Sequence, residues 1–346
     1  MQLFTLQRAL PRKPDLRTLV TRMLAVAAFA AFSWATSINA QPARTLKIGY
    51  ILSKDSQLGA GSTAFAEEIA KRTGGRITIE QYPNSALGGE VEMLKALELG
   101  TLDLAFITGA PLPNIVPDVG VFNIPFIFKN ADHAHTVLDG SIGQAYLEKF
   151  KTKSMIALAW GENGMRHITN SKREIKTPED LKGLKLRLPQ SEVMLIGFKA
   201  MGADPAPLPF PQLFGALQSG QFDGQENPIA TIQSAKFDQV QKYLTISGHV
   251  YDPAVFLVSV DVFDELSADD KTAFVEAARL GGQVSRKFAA EAQTNGVAAL
   301  AKAGMKVTPQ IDAERFAQAM ASAMPEYQQR FGPEIIDQIR KGGSGS

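Results

Sequence analysis

Leu184-Lys185-Leu186-Arg187-Leu188-Pro189 is the stretch from which the rest of the chain can be read. Three leucines alternate with two cations, and successive side chains of a strand point to opposite faces. The spacing predicts a strand with leucine on its core face and Lys185 and Arg187 on the other. Just upstream, Thr177-Pro178-Glu179-Asp180 combines a capping hydroxyl, a proline in the first turn and acids at the positive helix end. That is the start of a helix of one or two turns, ended by Gly183. A helix feeding a strand is one half of an α/β repeat, and the pattern extends in both directions.

Toward the N-terminus, residues 47–52 read as a strand, and Phe65 and Ile69 mark a helix ended by Gly74-Gly75. Residues 76–81 form a second strand. Val91, Leu94 and Leu97 repeat at helical spacing before Gly100, and residues 102–107 make a third, buried strand with Asp103 inside it. This β-α-β-α-β order implies right-handed crossovers around a central sheet. Pro111, Pro113, Pro117 and Pro125 exclude a long helix there. Residues 154–160 form another apolar strand, and 255–260 a β-branched one. Ser267 to Asp270 cap a helix that continues to about residue 303, interrupted only by Gly281-Gly282 and Gly296. At ~35 residues it would span ~50 Å, enough to cross two lobes. Residues 314–330 read as a last amphipathic helix.

The ends and the composition narrow the class. Arg8, Arg12, Lys13, Arg17 and Arg22 precede an apolar run at 23–34, and Ile38-Asn39-Ala40 offers a cleavage point before Gln41. That is the form of a secretory signal at 1–40, the run being too short to cross a bilayer. Gly342-Gly343-Ser344-Gly345-Ser346 reads as flexible tail, taken from 339 onward. Without the leader, five of 36 basic and one of 35 acidic residues are lost, which leaves 31 against 34. This balance argues against nucleic acid as a partner. With no cysteine the exported chain rests on its core alone.

Three motifs compete for a function. Gly59-Ala60-Gly61-Ser62-Thr63-Ala64 matches the dinucleotide fingerprint, with Glu80 placed 19 residues after Gly61 to hold a ribose. Six residues separate the preceding strand from Gly59, however, where phosphate binding needs a tight turn. A ligand-facing loop before a helix fits better, and a nucleotide-linked oxidoreductase is the alternative. His133-Ala134-His135 could be a metal pair, but residues two apart on a helix face differently, and Asp132 reads as the helix cap. No serine-nucleophile elbow, P-loop or zinc motif occurs in the folded region, so an enzyme is not expected. Arg187, on a strand backed by leucine, and Arg166, after the glycine-bearing bend at 160–165, remain. A guanidinium fork fits a carboxylate, and a rigid base lowers the ordering cost of binding one.

Tyr82 to Glu90, Leu99-Gly100-Thr101-Leu102-Asp103, residues 181–189 and Asp223-Gly224-Gln225-Glu226-Asn227-Pro228 together resemble the substrate-binding proteins of TRAP (tripartite ATP-independent periplasmic) transporters, the DctP family. The resemblance covers 46–338. It implies a two-lobed periplasmic binding fold with a hinge and a long helix, the lobes being 41–163 with 253–292 and 164–252 with 293–338. It further implies Arg187 as the carboxylate clamp, with Leu188 where valine is common, and Arg166 as its assistant after one inserted residue. Asn227 would contact the same carboxylate and Phe210 would line the pocket. Glu90 and Thr108 fall where the family varies with substrate. Keto-acid binders place tryptophan beside the glutamate equivalent to Glu226; here Asn227 stands there, so no metal and no cofactor are expected. The implied protein is a periplasmic monomer that delivers a C4-dicarboxylate, hydroxy or keto acid, sugar acid or aromatic acid to a membrane permease, or serves as a sensor on the same fold.

Overall fold

The computed structural model describes residues 43–343. One mixed sheet of nine strands organises them, in the order β2-β1-β3-β8-β4-β7-β5-β6, with β9 beside β8. The strands are β1 (Arg44–Gly49), β2 (Ile77–Tyr82), β3 (Leu104–Thr108), β4 (Met155–Asn170), β5 (Lys185–Leu188), β6 (Asp204–Pro207), β7 (Gly224–Pro228), β8 (Tyr243–Ser259) and β9 (Lys306–Thr308). The helices are α1 (Gln57–Arg72), α2 (Glu90–Glu98), α3 (Ala131–Asp139), α4 (Ser141–Glu148), α5 (Glu192–Ala200), α6 (Leu213–Gln218), α7 (Ile229–Ser234), α8 (Val260–Asp264), α9 (Ala268–Lys302), α10 (Ala313–Met320), α11 (Met324–Phe331) and α12 (Pro333–Arg340). None is long and apolar enough to cross a membrane.

Two parallel triplets flank a long antiparallel pair. β2, β1 and β3 run parallel at one edge, and β6, β5 and β7 at the other. Between them β4 and β8 run for 16 and 17 residues. The start of β4 and the end of β8 serve the first triplet; the opposite ends serve the second. The strand expected at 154–160 therefore does not stop there. The stretch read as a bend, 160–165, stays in β4, and the ladder absorbs irregularity at 157/159, 162/164 and 166/168 instead of breaking. Extra residues in one strand bend and twist a ladder locally without ending it.

The glycine fingerprint is overturned. Gly59 and Gly61 lie inside the first turn and a half of α1, capped by Ser56, whose hydroxyl accepts from Gly59 N at 3.1 Å. The glycines themselves form no loop; the irregular stretch before α1 is residues 50–56. Gly61 instead lets α1 approach α9: a Cβ on Gly61 would lie 2.8 Å from Gly281 O, and one on Gly281 2.7 Å from Gly61 O. Gly282 admits the carbonyl of Trp160 in the same way. The glycines that seemed to interrupt the long helix are thus what lets it lie against α1 and β4, and α9 runs unbroken for 35 residues. Beneath them Phe106 and Phe256 face each other in the β3–β8 register, ring centroids 3.8 Å apart.

Other boundaries shift for local reasons. Asn130, not Asp132, caps α3, its side-chain oxygen accepting from His133 N at 2.8 Å. Asp103 falls outside β3, where its carboxylate accepts from Lys47 N. The helix expected at 314–330 is two helices, because residues 321–323 form a turn ahead of Pro325 in the first turn of α11. The tail expected from 339 is helical to Arg340 and buries Ile339. The turn after Thr177 is a 3-10 helix, closed by a reciprocal cap between Thr177 and Asp180. The signal segment 1–40 and the last three residues lie outside the described residues.

Candidate functional site

The edges of both triplets meet at one narrow cavity lined by Glu90, Thr108, Asn163, Arg166, Arg187, Phe210, Asn227 and Thr231, with Ile51, Leu52 and Pro189. All six residues expected at the site are among them. The cavity is nearly shut, at ≈ 10 Å³, room for about one water.

Arg187 sits on β5 between β6 and β7, with Leu186 and Leu188 fully buried on the core side. Its own side chain is 2 % exposed. Nε donates to Leu208 O at 2.8 Å, and among the described residues Arg187 forms no ion pair. Burial pulls its pKa down to about 9, Arg166 adds to the fall, and the carboxylates of Glu226 and Glu90 oppose it. It remains a cation at neutral pH, desolvated and without a direct ion pair.

Arg166, on β4, is as deeply buried but fully engaged. Nε meets Glu226 Oε2 at 2.5 Å, Nη2 meets Glu226 Oε1 at 2.7 Å, and Nη1 meets Asp252 Oδ2 at 2.6 Å. A further contact from Nη2 reaches Asn227 Oδ1 at 3.3 Å. Burial works against its charge, but the two carboxylates outweigh it and raise its pKa. For Glu226 burial acts upward, yet Arg166 and His249 hold it below the usual carboxylate range. Burial keeps His249 neutral; since a carboxylate only accepts, its Nε2–H donates to Glu226 Oε2 at 3.0 Å.

Glu90 opens α2 and faces the end of β3. Thr108 N donates to Oε1 at 2.7 Å and Thr108 Oγ1 to Oε2 at 3.0 Å. Burial raises the Glu90 pKa to about 7, against the pull of those two bonds. Asn227, on β7, donates to Gln225 Oε1 at 2.5 Å. Phe210, half-buried, leans edge-on against Phe237.

Sequence reasoning missed the supports. Asp252 takes hydrogen bonds from Arg166, from Asn163 Nδ2 at 2.7 Å and from Ala110 N at 3.1 Å. A buried aspartate ahead of Pro253 carries no local pattern; only the pairing of β8 with β4 brings it to Arg166. Thr231 follows the Asp223–Pro228 segment by three residues and had no signal of its own.

Two cations lie at the junction of the two parallel triplets, one ion-paired and one not, an arrangement able to hold an anion. The comparisons with known proteins agree. Residues 48–330 match the family model DctP, bacterial extracellular solute-binding protein, family 7. The chain belongs to that family. It is 44% identical to a solute-binding protein of Verminephrobacter eiseniae, over 96% of this chain and 98% of that one. A TRAP periplasmic solute-binding protein from Polaromonas sp. JS666, solved bound to D-erythronate, is 47% identical with a TM-score of 0.85, covering 86% of this chain and 98% of its own. The sugar acid binding protein DctPAm of Advenella mimigardefordensis, in complex with galactonate, is 37% identical with a TM-score of 0.84, over 87% and 98%. Members of this family are solute-binding receptors.

Proposed function

We propose that this chain is the periplasmic receptor of a TRAP transporter, that it captures a hydroxylated monocarboxylate and that it delivers it to a membrane permease. The observation that carries this is Arg187, a buried guanidinium without an ion pair. A buried charge left unpaired costs several kcal/mol, and a ligand carboxylate is the partner it lacks. Arg166 supports the site from behind: its donors are committed to Glu226 and Asp252, so it positions Asn227 and leaves capture to Arg187.

Glu90 and Thr108 bear on the ligand's other end. Each Glu90 oxygen already accepts one bond and can accept another, so a ligand hydroxyl suits it and a second carboxylate does not. The ligands named for the Polaromonas and Advenella relatives, both hydroxy acids, support this choice over a C4-dicarboxylate, a keto acid or an aromatic acid.

A cavity of ≈ 10 Å³ admits no such molecule until its walls part. Residues 41–163 with 253–292, and 164–252 with 293–338, are the two lobes that separate and close around the ligand. The mature monomer would begin near Gln41. A sensor on the same fold is distinguished by the genes beside it. An oxidoreductase loses its support, since Gly59 and Gly61 are helical.

Calorimetric titration with D-erythronate, D-galactonate and succinate tests the reading. A dissociation constant near ~1 µM, about −8 kcal/mol, is expected for a hydroxy acid, and a far weaker one for succinate. No heat from any organic acid, or succinate binding most tightly, would overturn it.

A further inference from the structure

We propose that Gln57 is a closure latch: a buried carboxamide that joins the two lobes only when they are shut, and so sets how long the ligand stays. This rests on the reading of two lobes that part and close. Gln57 is the first residue of α1, and its side chain is fully buried. Nε2 lies 2.9 Å from Asn163 O, 2.7 Å from Asn163 Oδ1 and 2.9 Å from Thr231 Oγ1. Asn163 O is a carbonyl and can only accept, so the amide is oriented with its NH2 toward all three.

The placement makes this more than local packing. Gln57 belongs to the first lobe, Thr231 to the second, and 174 residues separate them. Asn163 sits on β4 where the ladder to β8 shifts register. Its own amide donates to Asp252, which holds Arg166. Thr231, Gln57, Asn163, Asp252 and Arg166 thus form one continuous hydrogen-bonded chain, and Thr231, Asn163 and Arg166 line the ligand cavity. Closing the lobes completes the chain; parting them breaks it at Thr231, which Gln57 Nε2 holds at 2.9 Å and which reaches Asn163 Oδ1 at 3.4 Å.

The same residue keeps the latch reversible. Gln57 Oε1 is shielded from solvent and accepts no bond from the protein. Closure gives that oxygen no protein donor, which offsets part of the gain from Nε2. Gln57 alone therefore does not hold an empty protein shut, and it contributes once a carboxylate has neutralised Arg187.

The chain has no cysteine, so Glu98→Cys with Gln218→Cys, both exposed and one on each lobe, takes two spin labels cleanly. Pulsed electron paramagnetic resonance then reads the distance between lobes with and without D-erythronate, and stopped flow reads its release. Gln57→Glu sets a carboxylate against the two Asn163 oxygens, which only accept, and leaves the Thr231 hydroxyl alone able to donate to it; Gln57→Leu removes the bonds without adding charge. Both are expected to lower the closed fraction and to speed release at least tenfold, with the melting point of the empty protein unchanged. Closure and release as in wild type for both variants would overturn the latch, as would a lower melting point with unchanged release. If D-erythronate fails to bind wild type, the receptor reading fails for that acid, and the distances measured with D-galactonate decide instead. Equal closed fractions in wild type and Gln57→Glu then remove the latch.

Discussion

Arg166 grips Glu226 with two prongs, Nε to Oε2 at 2.5 Å and Nη2 to Oε1 at 2.7 Å, with both side chains withdrawn from water. The pair spans β4 and β7, whose register sets Arg166 opposite Pro228 and Ile168 opposite Glu226. It joins the long central strands to the second triplet.

Removing one member of such a pair strands the other. Glu226→Ala is expected to cost about 3–5 kcal/mol of folding stability, a fall of roughly 6–10 °C at about 2 °C per kcal/mol for a chain of this size. The pKa of Glu226 is depressed in the fold, so its contribution is complete above the unfolded carboxylate value, ~4.3. It disappears as pH falls through the lower folded value. Thermal unfolding followed from pH 7 to pH 3 should show the wild-type advantage over Glu226→Ala shrinking only at the acid end.

Arg187→Ala should separate binding from stability. Loss of the carboxylate's partner is expected to cost about 2–5 kcal/mol of ligand affinity, roughly 30-fold to several thousand-fold. The empty protein loses a desolvated charge with no direct ion pair, so its melting point should hold or rise. Calorimetry and thermal shift on one preparation check both; near-unchanged affinity would remove Arg187 from the ligand site.

Glu90 makes binding sensitive to pH near neutrality. Its pKa of about 7 in the ligand-free fold rises further beside an incoming anion, so the bound state favours the proton. Affinity should be greatest below about pH 7 and fall as pH rises through that value, by up to about tenfold per unit for succinate. For a hydroxy acid the fall is smaller, because a hydroxyl can donate to the ionised form. Titrations from pH 6 to pH 8, repeated with Glu90→Gln, should show the slope vanish in the variant.

Gly281→Ala tests the helix contact that replaced the nucleotide loop. A Cβ 2.7 Å from Gly61 O has no room, and that carbonyl is backbone. Overpacking of this kind costs about 1–3 kcal/mol. Chemical denaturation should show the loss without a change in ligand affinity.

What could be read from the residues depended on the range of the interaction. The alternation at 184–188 is a period-2 signal inside one strand, and it located both the leucine face and the cation opposite. The segments quoted for the family resemblance contain Glu90, Arg187 and Asn227, while Thr108, Arg166 and Phe210 lie outside them. The failures share a different cause. Gly61 finds its reason only in α9, more than 200 residues on, whose Gly281 it lets approach, while Gly59 leaves room for the backbone of Lys54. The 160–165 stretch looks like a bend because of its two glycines, yet pairing with β8 keeps it in the sheet and takes up the irregularity as register shifts. Asp252 and Gln57 find their partners only through tertiary contact, 86 and 106 residues away. No window of sequence could show that.

The uncompensated charge of Arg187 has a consequence for traffic through a membrane. Under the proposed receptor function, an unloaded copy in the shut form would compete with loaded copies for the permease. A desolvated guanidinium without its anion makes that empty form costly, so under the same proposal few idle copies would compete. Selectivity for cargo and fair access to the transporter would then depend on one side chain.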